Sequence, residues 1–107
     1  MAESTIDRRP PVSGATRLAA VIGDPVRHSL SPTLLGAAFA ETGLDWTYVA
    51  LEVADGSAPG ALDGMRALGI SGLSVTMPHK AAVAAVVDRC TDDAAALGAV
   101  NCVVVQE

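Results

Sequence analysis

The sequence predicts an α/β fold: a three-layer α/β/α arrangement with a mainly parallel sheet and an antiparallel last strand. Three observations carry this. Short apolar runs of strand length, each closed by a turn signal, alternate with segments of helical period, the order that builds parallel βαβ units. Half of the 107 residues are hydrophobic but only three are aromatic (Phe39, Trp46, Tyr48), so the core is assembled from Ala, Val, Leu and Ile. The last helical segment is only two turns long. If it climbs back toward the edge where its preceding strand ended, the strand after it runs down, antiparallel to its neighbours.

The elements follow in order. Residues 1–16 are polar and proline-containing and are expected to form a disordered tail. They lack an apolar h-region, so they are not read as a signal peptide. Residues 17–107 form the expected domain. RLAAVIG, 17–23, is a short apolar run ended by Gly, a buried strand. A loop spans 24–30. Ser31 then reads as an N-cap with Pro32 at the first helical position, and Leu34, Leu35, Ala38 and Phe39 share one helical face. Gly43 closes that helix. WTYVALEV, 46–53, is rich in strand formers. After a turn-rich link at 55–60, a helix over 61–68 is expected to point Leu62, Met65 and Leu68 inward. A third strand covers 72–75. A helix over 78–88 follows, with Val83, Val86 and Val87 as its core stripe. Thr91 caps a short helix with Asp92 and Asp93 in its first turn, the usual sign there. Gly98 ends it, and a last strand spans 101–105.

Bulk properties exclude several function classes. A net charge of −5 and a pI near 4.8 argue against nucleic acid, whose binding requires a basic surface. No Lys/Arg run suits an anionic membrane, and the early apolar run 18–22 is far too short to cross a bilayer. Cys90 and Cys102 form neither a CxxC nor a metal-like cluster, so free, core-packed thiols and no bound metal are expected. A cytoplasmic protein follows. The chain contains no G-x-G, hence no dinucleotide fingerprint.

In parallel α/β sheets, ligands bind beyond the carboxyl ends of the strands. Two loops are expected there, GDPVRHSLSP (23–32) and TMPHK (76–80). Ser74 and Thr76, two apart at a strand end, share a face. Lys80 is the only lysine of the chain and falls in the first turn of a helix, where the dipole disfavours a cation. That placement reads as chemistry, since a positioned lysine can act as general acid or base. An antiparallel last strand brings Asn101 to the same edge. The predicted site is Ser29, Ser31, Thr76, Lys80 and Asn101: hydroxyls, an amide and an amine suited to a small polyhydroxylated acid. Ser31 also serves as a cap, Arg27 reads as a surface arginine that could draw an anion, His28 as loop packing, and His79 as a solvated first-turn residue.

These residues resemble the substrate-binding domain of the shikimate dehydrogenase family. GDPVRHSLSP is similar to its G-x-P-x-x-H-S-x-S-P, SVTMPHK to its N/S-V-T-x-P-x-K, and GAVNCVV to its G-A-V-N-T stretch. The three stand in register from about Leu18 to Val105. The resemblance implies reduction of 3-dehydroshikimate to shikimate with NADPH, in aromatic amino acid biosynthesis. By the same resemblance, Ser29 and Ser31 bond the substrate carboxylate, Thr76 and Asn101 bind ring hydroxyls, and Lys80 is the catalytic lysine.

Departures are specific. Leu35-Gly36 stand where the family often has His-Asn, and Leu35 is expected to suit a buried helix face. Cys102 replaces Thr, and Ser74 replaces the commoner Asn. The family continues with an N-T-D strand, whose Asp works with the lysine, and then a dinucleotide domain that binds NADP. Neither is in these 107 residues, so the chain is expected to be a truncated member, inactive alone, with an open last edge that leads to self-association, a homodimer included, or to a frayed C-terminus. A non-catalytic module binding shikimate or quinate, or an inactive remnant, is the competing class; the downstream reading frame discriminates the two. A signalling receiver domain is disfavoured, because Asp24 stands alone and 74–80 holds no Asp.

Overall fold

The run RLAAVIG forms β1 (Arg17–Gly23), buried from Ala19 onward because the sheet is covered on both faces. The computed structural model describes residues 6–105. After β1 come α1 (Ser31–Thr42), β2 (Trp46–Glu52), α2 (Ala58–Leu68) and β3 (Gly72–Val75). The chain then forms α3 (Lys80–Val86), α4 (Asp92–Leu97) and β4 (Cys102–Val104). The sheet order is β2-β1-β3-β4. β1 pairs in parallel with both β2 and β3, while β4 is antiparallel to β3, with Leu73 opposite Val103. The expected three layers are present. Ala19, Val21 and Tyr48 face α1, which contributes Phe39. Ala20, Ile22, Leu73 and Val75 face Leu62 and Met65 of α2 and Val83 of α3.

Several local expectations are corrected. Ser31 is the first helical residue of α1 and Leu30 the cap, with no side-chain capping bond. Leu34 (64% exposed) and Leu35 lie open, and no residue of α1 is fully buried. The physical reason is placement. α1 packs chiefly on the edge strand β2, so its far side meets no other element.

α2 starts three residues earlier than expected, with Ala58 fully buried at its first position. Leu62 and Met65 point inward, but Leu68 is 78% exposed. Steps of three in a 3.6-residue helix each rotate by about 60°, so Leu68 has turned roughly 120° from Leu62. α3 begins at Lys80, two residues late, because Pro78 is held in the preceding turn. Val83 is buried, Val87 packs against the same core, and Val86 is exposed. Thr91 caps α4 as expected, its Oγ1 accepting from the Ala94 N–H at 3.2 Å. Glycines with left-handed φ close α1 and α4 at Gly43 and Gly98.

Cys90 and Cys102 are both exposed free thiols, not core residues. Cys102 lies opposite Ser74, on the part of the sheet that α1 does not reach. Within the expected disordered tail, residues 6–16 make defined contacts; residues 1–5 lie outside the described residues. The Arg8 N–H donates to the Ala40 carbonyl (2.9 Å), a C-terminal helix carbonyl without an intrahelical partner. The Arg9 guanidinium donates to the Trp46 carbonyl (3.3 Å), and Thr16 Oγ1 to Asp45 (2.8 Å).

Candidate functional site

The carboxyl ends of β1, β2 and β3 share one edge, and the antiparallel β4 begins there. Five backbone bonds tie the segments at this edge. Thr76 N–H donates to the Ile22 carbonyl (3.0 Å) and Asp24 N–H to the Met77 carbonyl (3.1 Å), joining the loops that follow β1 and β3. Val53 N–H donates to the Gly23 carbonyl (3.0 Å), adding the end of β2. Val75 N–H donates to the Asn101 carbonyl (2.8 Å), and Val100 N–H to the Lys80 carbonyl (3.0 Å), bringing in the start of β4. The last two bonds set Asn101 beside the lysine-bearing turn, the antiparallel arrangement expected from the short helix before it.

Gly23 makes the close approach of the loops feasible. A Cβ there would collide with Thr76 Cγ2 and sit 3.2 Å from the Met77 carbonyl oxygen. The requirement is for space alone, since Gly23 does not have a left-handed φ. Val26, buried among Ala19, Val21 and Tyr48, anchors the loop after β1. From there the chain turns, Ser29 N–H donating to the Val26 carbonyl (2.9 Å).

Ser29 and Ser31 are both half-buried. Ser29 Oγ accepts from the Ser31 N–H (3.2 Å), the N–H of the first helical residue. A hydroxyl that accepts still has its proton to donate, which suits an incoming carboxylate. Thr76 and Lys80 are half-buried and Asn101 is exposed. Among the described residues, the side-chain polar groups of Ser31, Thr76, Lys80 and Asn101 engage no intramolecular partner, and no buried polar side-chain atom is orphaned. These groups therefore stand open to solvent or ligand. Ser74 does not: it accepts a 2.7 Å bond from the Tyr48 hydroxyl across β1. Arg27, on the same rim, pairs with Glu52 at 3.6 Å. Away from this edge, at the exposed Asp7–Arg9 pair, the Arg9 hydrogen bond lowers the Asp7 carboxyl to about 2.

His79 is the residue whose environment the sequence reading missed. It is 1% exposed rather than solvated, and its Nε2 lies 2.6 Å from the Val53 carbonyl. A polar residue between Pro and Lys carries no burial signal. Only the meeting of β2's end with α3's start encloses it. A cavity of about 660 Å³ lies away from four of the five residues, between α2, residues 87–91 and β4, and includes only Asn101 of them. Among the described residues the site is one open wall along the sheet edge.

Fold and edge together define a class: an α/β domain that presents hydroxyls, an amide and one lysine along one sheet edge. The chain belongs to the family described as shikimate dehydrogenase substrate binding domain, whose sequence profile matches residues 21–103. It is 48% identical over 96 residues to the shikimate dehydrogenase (NADP(+)) of Citrifermentans bemidjiense, a match covering 90% of this chain and 33% of the relative. It is 51% identical over 89 residues to that of Thermococcus kodakarensis, covering 83% of this chain and 33% of the relative. A crystal structure of Listeria monocytogenes shikimate 5-dehydrogenase in complex with shikimate and NAD superposes with a TM-score of 0.87 at 40% identity, covering 92% of this chain and 34% of that one. The chain therefore spans about a third of the length of these relatives.

Proposed function

We propose that this chain, through residues 17–107, is the substrate-binding part of an NADP-dependent shikimate dehydrogenase, the oxidoreductase that interconverts 3-dehydroshikimate and shikimate. The observation that carries the proposal is the gathering of Ser29, Ser31, Thr76, Lys80 and Asn101 at one sheet edge with hydrogen-bonding groups to spare. The Ser29 and Ser31 hydroxyls donate to the substrate carboxylate. Thr76 and Asn101 bond ring hydroxyls. Lys80 donates a proton to the oxygen that gains negative charge on reduction, and as the amine takes that proton back when the reaction runs toward oxidation. Placing that ammonium at the start of α3 sets it against the helix dipole, so its position serves the ligand and not the helix.

The residues described do not fit a dinucleotide. The turns after β1 and β3 are built around Pro25 and Pro78, which lack an N–H, and no glycine-rich turn offers a row of amides to a pyrophosphate. NADP therefore belongs to residues other than these, and no step is derived through it. No helix among the described residues is long and apolar enough to cross a membrane. A small anionic substrate, cytoplasmic location and a homodimer accord with this reading.

The test is an amide NMR titration of the 107-residue chain with shikimate, with Lys80→Ala as control. Shifts confined to Ser29, Ser31, Thr76, Lys80 and Asn101, weakened in the variant, are expected. A dispersed spectrum that does not respond to shikimate refutes binding by this chain.

A further inference from the structure

We infer that His79 is the positioning residue for Lys80, acting through a buried hydrogen bond to the end of β2. The inference rests on the reading of Lys80 as the group that meets the substrate. His79 is the buried polar residue of the described chain, although its neighbour Met77 is 68% exposed. The Val53 carbonyl can only accept, so Nε2 carries the proton and donates across 2.6 Å. Val53 lies just beyond β2, and its own N–H is held by the Gly23 carbonyl. The imidazole therefore ties the lysine-bearing turn to the ends of β1 and β2 at once.

The backbone of His79 works in the same direction. Its N–H donates to the Thr76 carbonyl (3.0 Å), and its carbonyl accepts from Val83 N–H (2.9 Å), the first bond of α3. Lys80 is the next residue, the first of the helix. Side chain and main chain of His79 together fix where α3 starts and which way its first side chain leaves. A residue so enclosed does not reach a ligand itself. It acts on the ligand through Lys80, and through the Thr76 turn that its N–H closes.

The test uses a property of the sequence: Lys80 is the sole lysine, so lysine-selective isotope labelling of the full chain yields one side-chain signal. Shikimate is the probe. Gln places an amide N–H where Nε2 lies, Asn places one where Nδ1 lies, and Phe keeps the ring without a donor. His79→Gln is expected to bind shikimate within about twofold of the wild type, with the Lys80 signal moving as before. His79→Phe and His79→Asn are expected to bind about fivefold more weakly or worse, the effect of losing one ordinary hydrogen bond. In both, the Lys80 response should be lost while the Ser29 and Ser31 amides still respond. Should His79→Phe not fold, the Gln-against-Asn comparison decides. Equal affinity and an unchanged Lys80 shift in His79→Asn overturn the inference, as does equal weakening in Gln and Asn. A wild-type chain that does not respond to shikimate refutes the proposed function itself. A responding wild type with indifferent variants refutes only the role of His79.

Discussion

Substituting Gly23 by Ala adds one methyl group where the loops after β1 and β3 meet. The new carbon collides with Thr76 Cγ2 and comes to 3.2 Å from the Met77 carbonyl oxygen and 3.4 Å from Val26 Cβ. Two of those neighbours cannot yield cheaply. The Met77 carbonyl is already the acceptor for Asp24, and Val26 is 1% exposed. Overpacking of this kind costs about 1–3 kcal/mol. It is offset by roughly 0.4–1 kcal/mol from the reduced freedom of the unfolded chain. For a domain of this size, each kcal/mol moves Tm by about 4–8 °C, so a fall of up to roughly 20 °C, centred on about 8 °C, is expected by circular dichroism. Relief by rotating Thr76 moves its hydroxyl as well as its methyl, so shikimate affinity should fall too. Thr76→Ser removes the colliding methyl and keeps the hydroxyl. The double variant should therefore recover most of the lost stability and binding, a non-additive cycle. Unchanged Tm and affinity in Gly23→Ala, or strict additivity in the double variant, would refute the reasoning.

Other outcomes follow from the same geometry. The purified 107-residue chain is expected to give no shikimate-dependent rise in NADPH absorbance, because its described residues build no dinucleotide site. Thr91→Ala removes the cap of α4 and should cost about 1 kcal/mol, seen as faster amide exchange at Ala94, whose N–H the threonine holds. The Asp7 carboxyl should titrate near 2 by carbon NMR, and Arg9→Ala should return it toward the usual 3.8. A depressed folded pKa means that the Asp7 contribution is complete above about 3.8 and fades as pH falls through about 2. Tm should therefore not respond to this pair between pH 5 and pH 7.

The order of elements, the antiparallel last strand and the placing of the five candidate residues at one sheet edge were legible in the chain itself. Apolar runs of strand length, glycines at helix ends and a two-turn helix before Asn101 are local signals, and local backbone preference reads them reliably. The aspartates behind Thr91 and the lysine in a first turn are also local, and both stand at helix starts in the structure. Tertiary structure decided what depends on which surfaces meet. Leu34 and Leu35 have helical spacing, yet they face solvent because α1 rests on an edge strand with nothing beyond it. His79 looked like a solvated neighbour of Lys80 until the end of β2 closed over it. Gly23 looked like a strand terminator until Thr76 was brought against it. Residues 6–16 have the composition of a loose tail, but the open carbonyls of α1 and β2 supply partners that no local pattern announces. A one-dimensional pattern records what a residue prefers; burial and contact depend on segments far away in sequence, and those are fixed only when the strands pair.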